Sequence, residues 1–80
     1  MSRWIVYMVR CRDGSLYTGI TTDLTKRLRA HAAGTASKYT RARLPMTLAW
    51  SAPAASESAA RKREAAIKRL SRQDKTKLID

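Results

Sequence analysis

Trp4-Ile5-Val6-Tyr7-Met8-Val9, then Arg12-Asp13-Gly14, then Ser15-Leu16-Tyr17-Thr18-Gly19-Ile20 is the stretch that decides the fold. The first run is continuously apolar and rich in aromatic and β-branched residues. It predicts a strand buried on both faces and therefore central in its sheet. Arg12-Asp13-Gly14 is a turn, and residues 15–20 alternate as a second strand. Two hairpin loops compete. A two-residue Asp-Gly turn would pair Tyr7 with Ile20 and send Tyr7 and Tyr17 to opposite faces. A three-residue loop, closed by Gly14 in the left-handed region, would pair Tyr17 with Val9. Both tyrosines then share a face as diagonal neighbours, within reach of each other. The position of Gly14 favours the three-residue loop, whose bulge requires a glycine there.

Beyond the hairpin, Thr22 or Asp23 caps a helix running to about Ala33, with Gly34 as its stop. Leu24, Leu28 and Ala32 recur at spacing four and predict its buried stripe. Asp23, Arg27 and His31 form the neighbouring row at the same spacing, so Arg27 and His31 project together beside the core. Residues 34–44 read as a polar, basic connection. Met46 to Trp50 is a third strand, and Pro53 closes the segment after it. Ser56 caps a second long helix from Glu57 to about Leu70. Ala59, Ala60, Ala66, Ile67 and Leu70 make its buried stripe, with Glu64 at the border. Residues 71–74 can cap a short last helix, Lys75 to Ile79. The expected architecture is α+β, a single domain over residues 1–80.

The chain has 80 residues, so it buries only about 60% of its unfolded surface and its core is thin. One cysteine, Cys11, allows neither an internal disulfide nor a thiolate zinc site. A reducing, cytoplasmic compartment fits that cysteine usage. Residues 1–10 are too short for the apolar core of a signal peptide, and nothing approaches a membrane span. Seventeen Lys and Arg against six Asp and Glu give a formal charge of +11, which points to a polyanionic partner, nucleic acid first.

Tyr7, Tyr17, Arg27 and His31 suit work on a phosphate ester. A phenol can take a proton from water, a guanidinium can grip a phosphate bidentately, and an imidazole moves protons near neutrality. Each also has an ordinary structural role available. Strand tyrosines pack, Arg27 can pair with Asp23, and Glu64 can pair with Lys68 just as Glu57 can with Arg61. Lys38, Tyr39, Arg41 and Arg43 read as a phosphate-contacting segment with Tyr39 available for stacking, or as a basic surface loop.

The spacing of these residues resembles the GIY-YIG nuclease superfamily, in particular its small single-domain members. The resemblance runs from about Trp4 to Ile79. Ile5-Val6-Tyr7 stands at the first family motif and Tyr17-Thr18-Gly19 at the second. Arg27 and His31 match the arginine followed one turn later by histidine or tyrosine, and Glu64 best matches the metal-binding glutamate. Ile5 replaces the first motif's glycine. The chain has no asparagine where larger members carry one near the domain's end, and Ser71 is a possible stand-in.

The resemblance implies a three-stranded antiparallel sheet flanked by helices, in the order β-β-α-β-α-α. It implies hydrolysis of a nucleic-acid phosphodiester, DNA favoured, with one divalent metal, magnesium or else manganese, on Glu64. Glu57 is the rival ligand, but an acid at a helix start is already explained by the dipole. Arg27 would hold a non-bridging oxygen. One tyrosine would activate water, Tyr7 rather than Tyr17, with His31 assisting, Tyr17 positioning, and the phenol's pKa lowered by Arg27, Lys38 or the metal. No small-molecule cofactor or membrane is expected, and the chain is expected to be a monomer or weak homodimer. A non-catalytic nucleic-acid-binding module is the competing class.

Overall fold

A computed structural model describes residues 3–79. The hairpin sets the frame. β1 (Ile5–Arg10) and β2 (Leu16–Thr21) pair antiparallel with Val9 opposite Tyr17 and Tyr7 opposite Gly19. The loop is the three-residue form. Cys11 and Ser15 close it, the Gly14 amide donates to the Cys11 carbonyl at 2.9 Å, and Gly14 lies at φ +84°. β3 (Thr47–Pro53) pairs antiparallel with the other side of β1, so the sheet order is β2-β1-β3 with β1 central, as its unbroken apolar run predicts. Met8 pairs with Trp50 but Val9 with Leu48, so Ala49 is an extra residue in a bulge. β3 extends three residues past the expected Trp50. Pro53 is tolerated at its end because β3 is an edge strand.

The two faces of β1 have different neighbours. Val6 and Met8 pack with Ala60 and Ile67 of helix α3 (Glu57–Lys68), joined by Trp4, Ile20, Trp50 and Leu78. This is the apolar core. Tyr7, Val9 and Cys11 alternate onto the opposite face and are equally buried. That face is covered by α1 (Leu24–Ala32), whose Asp23 carboxylate accepts from the Lys26 amide as the N-cap. Gly34, at φ +79°, follows its C-cap. The last helix, α4 (Arg72–Ile79), packs on β3 and is capped by Ser71.

Three sequence expectations change. Residues 38–41 are not a loop but a single helical turn, α2 (Lys38–Arg41), capped by Ser37. It adds a short element to the expected order. α1 does not bury Ala32, which is exposed; it buries His31, at 1% exposure, with Leu24 and Leu28 partly covered. The polar ring goes inside because two hydrogen bonds await it there, and a satisfied imidazole loses little on burial. On α3, Ala66 is likewise exposed, and the buried line runs through Ala60 and Ile67, with Glu64 partly covered between them.

Candidate active site

The hairpin register places Tyr7 and Tyr17 on one face, and α1 brings Arg27 and His31 to them. Tyr7, Tyr17, Gly19 and Arg27 line one concavity with Glu64 of α3. Helices from the two faces thus meet beside β2, an edge strand. Gly19 makes that meeting possible. It sits opposite Tyr7, and a Cβ built there would lie 2.6 Å from the Tyr7 hydroxyl oxygen and 2.7 Å from its Cζ. The absent side chain lets the phenol lie across β2 toward the cleft.

His31 does not line the cleft but sits beneath it. Its Nε2 is 2.8 Å from the Tyr7 hydroxyl and its Nδ1 is 2.9 Å from Thr40 Oγ1. Both tyrosine rings meet the imidazole edge-on, at centroid distances of 5.7 Å for Tyr7 and 5.4 Å for Tyr17. Burial, and then the nearby Arg27 charge, hold the His31 pKa below its ordinary 6.5, so the ring is neutral at pH 7. Among the chain's own groups, Arg27 does lower the Tyr7 pKa as expected and Lys38 does not act on it, but burial outweighs Arg27. The pKa is pushed up to about 12, first by burial and then by Tyr17, with Arg27 opposing and Glu64 adding to the rise. The buried phenol therefore stays protonated.

Glu64 is the cleft's one acid among the described residues lining it. Its side chain is 22% exposed, and its Oε2 is 3.3 Å from Lys68 Nζ, so the ion pair at spacing four is also present. Glu57 pairs with Arg61 and does not line the cleft. Ser71 does not line it either; its hydroxyl accepts from the Asp74 amide.

The basic segment divides in two. Lys38 and Arg41 are exposed on α2, and the Arg41 stem lies against Gly34. Tyr39 and Arg43 are engaged within the molecule. The Tyr39 ring stacks on Tyr17 at 5.9 Å, and the Arg43 guanidinium lies 3.9 Å over it. Arg43 donates to Asp13 at 3.1 Å and to the Tyr39 carbonyl at 3.0 Å. The Tyr39 face beneath Arg43 is therefore closed to a base. Asp13 is held below the usual carboxylate range by hydrogen bonds from Ser15 and then by Arg43.

Sequence reasoning misses Thr40, which lies nine residues beyond His31 with no periodic relation to it. It also gives Gly19 no steric role. Arg61, half of a surface pair, lines the cleft as well.

Comparison with known proteins agrees with this geometry. The model of the GIY-YIG catalytic domain matches residues 3–78. A UPF0213 protein of Staphylococcus haemolyticus is 45% identical over 80 residues, covering 100% of this chain and 98% of that protein. One from Streptococcus sanguinis is 50% identical over 74 residues, covering 92% of this chain and 85% of the relative. The solution NMR structure of a UPF0213 protein from Bacillus halodurans superposes with a TM-score of 0.61 at 42% identity, covering 95% of this chain and 81% of that one. A three-stranded sheet that carries two tyrosines to an arginine and a glutamate is the frame of a nuclease family. This chain belongs to that family, the GIY-YIG family, and its near relatives are small UPF0213 proteins.

The family implies a divalent metal. The donor set fits one. Glu64 offers a hard carboxylate at the edge of an open polar cleft, and among the described residues no three of His, Cys, Asp and Glu gather as a closed cage. Magnesium keeps most of its waters and is often held by one or two carboxylates. Among the described residues, no helix is long and apolar enough to cross a membrane.

Proposed function

We propose that this protein is a metal-dependent endonuclease that hydrolyses phosphodiester bonds of nucleic acid, with DNA the favoured substrate. One observation carries the reading: Tyr7, in the cleft that also holds Arg27 and Glu64, shares a 2.8 Å hydrogen bond with the buried His31 beneath it.

A phenol held near pKa 12 is a poor free base. It serves better as a relay. Water bound at the Tyr7 oxygen loses a proton to it while the phenolic proton passes to Nε2 of His31, so no free phenolate forms. The water oxygen bonds to phosphorus, the bond to the leaving oxygen breaks, and that oxygen takes a proton from solvent, while His31 returns its proton to the Tyr7 oxygen and Tyr7 releases the water-derived proton to the cleft. Arg27 grips a non-bridging oxygen as charge builds on the phosphoryl group. Tyr17, stacked on Tyr39 and edge-on to His31, holds the ring beside it and directs its hydroxyl to the substrate. Glu64 would hold the divalent ion, magnesium or manganese, whose chemistry there would be neutralisation of the charge that builds in the reaction.

The charge of +11 supplies affinity without sequence reading, and Lys38 and Arg41 are the phosphate contacts of the basic segment. A cytoplasmic setting, where nucleic acid and a reduced Cys11 coexist, belongs to the same reading. The test is cleavage of a panel of single-stranded, duplex and branched DNA and RNA with magnesium or manganese. Wild type should cut at least one member, and Glu64→Ala should bind it as well as wild type without cutting. Equal cleavage by Glu64→Ala would remove the metal role. Binding without cleavage by wild type across the panel would leave a nucleic-acid-binding module instead.

A further inference from the structure

The single turn of α2 brings a buried hydroxyl to the imidazole. Thr40 is 0% exposed. Its Oγ1 donates to the Ser37 carbonyl at 3.3 Å and lies 2.9 Å from Nδ1 of His31. A threonine hydroxyl has one proton. Both contacts of Oγ1 are attractive at once only when that proton points to the Ser37 carbonyl and Oγ1 accepts from an Nδ1–H, since with the proton on Nδ1 two oxygen lone pairs would face each other at 3.3 Å. A neutral imidazole has one N–H, which leaves Nε2 as a bare acceptor facing the Tyr7 hydroxyl at 2.8 Å. The opposite tautomer would turn Nε2–H toward the phenol, and the proton leaving Tyr7 would have nowhere to go.

The surroundings hold this polarity. The Ser37 carbonyl also accepts from the Arg41 amide at 3.0 Å, and the Ser37 hydroxyl accepts from the Tyr39 amide at 3.1 Å, so the acceptor for Thr40 is fixed at the N-cap of α2. α2 is tied to the hairpin turn in its turn, through Arg43 on Tyr39 and Asp13. His31 is 1% exposed, which keeps bulk water from replacing either partner.

We propose that Thr40 is a positioning residue that fixes His31 in the Nδ1–H tautomer and so makes Nε2 the proton acceptor for Tyr7. The catalytic consequence rests on the nuclease reading; the tautomer does not. Donor and acceptor directions run one way along the chain: Tyr7 to His31, His31 to Thr40, Thr40 to the Ser37 carbonyl. Partners that orient a metal-ligating imidazole typically matter by about ten- to a hundredfold in activity, and the same range is expected of Thr40 on an imidazole that takes a proton.

His31 is the sole histidine, so nitrogen-15 NMR of the whole labelled protein reads its two ring nitrogens without ambiguity. At neutral pH the wild type should show a protonated Nδ1 and a bare Nε2. A protonated Nε2 in the wild type would overturn the proposal outright. Thr40→Val keeps the shape and removes the acceptor. It should give mixed tautomers and lower kcat about ten- to a hundredfold with KM little changed, and Thr40→Ser should restore both. A Thr40→Val protein with wild-type tautomer and kcat would also overturn it. Should the valine variant fail to fold, the wild-type and serine spectra still decide, because both must show Nδ1–H. Absence of cleavage on any nucleic acid would count against the nuclease reading alone, leaving the spectra to judge Thr40.

Discussion

The Tyr7 hydroxyl and His31 Nε2 stand 2.8 Å apart, with Tyr7 2% and His31 1% exposed. A central strand and a helix each give up an interior position to a polar group, and the two groups satisfy one another. Tyr7→Phe should therefore act in two ways. It should cut cleavage by about two to four orders of magnitude, the usual worth of a positioned proton acceptor. It should also leave Nε2 without a partner and cost about 1–3 kcal/mol, measurable by urea unfolding. A Tyr7→Phe protein that cleaves like wild type would remove the relay.

The pH dependence follows from the same pair. His31 has a folded pKa below its ordinary 6.5, so the unfolded chain binds the proton more readily. Stability from the neutral ring is present above pH 6.5 and is lost as pH falls through the folded pKa. The acid limb of the cleavage profile should lie below 6.5 for the same reason. Tyr7 has the opposite sign. Raised from 10 to about 12, it contributes stability that is intact below pH 10 and lost as pH climbs toward 12. Tyr7→Phe should remove that alkaline loss in thermal melts recorded across the range.

Gly19→Ala tests the sheet's clearance for the phenol. The new methyl would meet Tyr7 at 2.6–2.7 Å, so the ring must move off its hydrogen bond with His31. Cleavage should fall as far as in Tyr7→Phe, and overpacking should cost about 1–3 kcal/mol. A variant of full stability and full activity would show that the ring has room to spare.

Arg27→Ala should lower cleavage by about two to three orders of magnitude, since a donor aimed at developing charge matters most in the transition state. Nucleic-acid affinity should change far less. Arg27→Lys should recover only part of the rate, because an ammonium lacks the bidentate fork. Single-turnover kinetics beside equilibrium binding separates the two effects.

The basic segment should split on substitution. Neutralising Lys38 and Arg41 together should reduce the slope of log affinity against log salt by up to about 0.9 for each duplex phosphate the protein no longer neutralises. Arg43→Ala should instead loosen Tyr39 and Tyr17, lowering cleavage more than the salt slope. Equal reductions in salt slope for all three cations would place Arg43 on the nucleic acid.

Much of this protein is written locally. Gly14 in a three-residue loop settles the hairpin register, and through the two-residue period of a strand it puts Tyr7 and Tyr17 on one face. Asp23, Gly34 and Ser56 mark helix ends by short-range capping, which a sequence displays directly. Tertiary structure decided what depends on partners distant in the chain. Periodicity favours Ala32 as a core residue of α1, but the side chain that goes inside is His31, because Tyr7 and Thr40 supply hydrogen bonds that no helical wheel contains. Residue type leaves Tyr39 and Arg43 free of internal partners, yet Tyr39 stacks on Tyr17 and Arg43 pairs with Asp13 while both keep about a third of their surface exposed. Charge alone cannot say whether Tyr7 ionises. Burial, the largest influence on its pKa, arises only when the sheet and α1 close over it, and it raises that pKa to about 12.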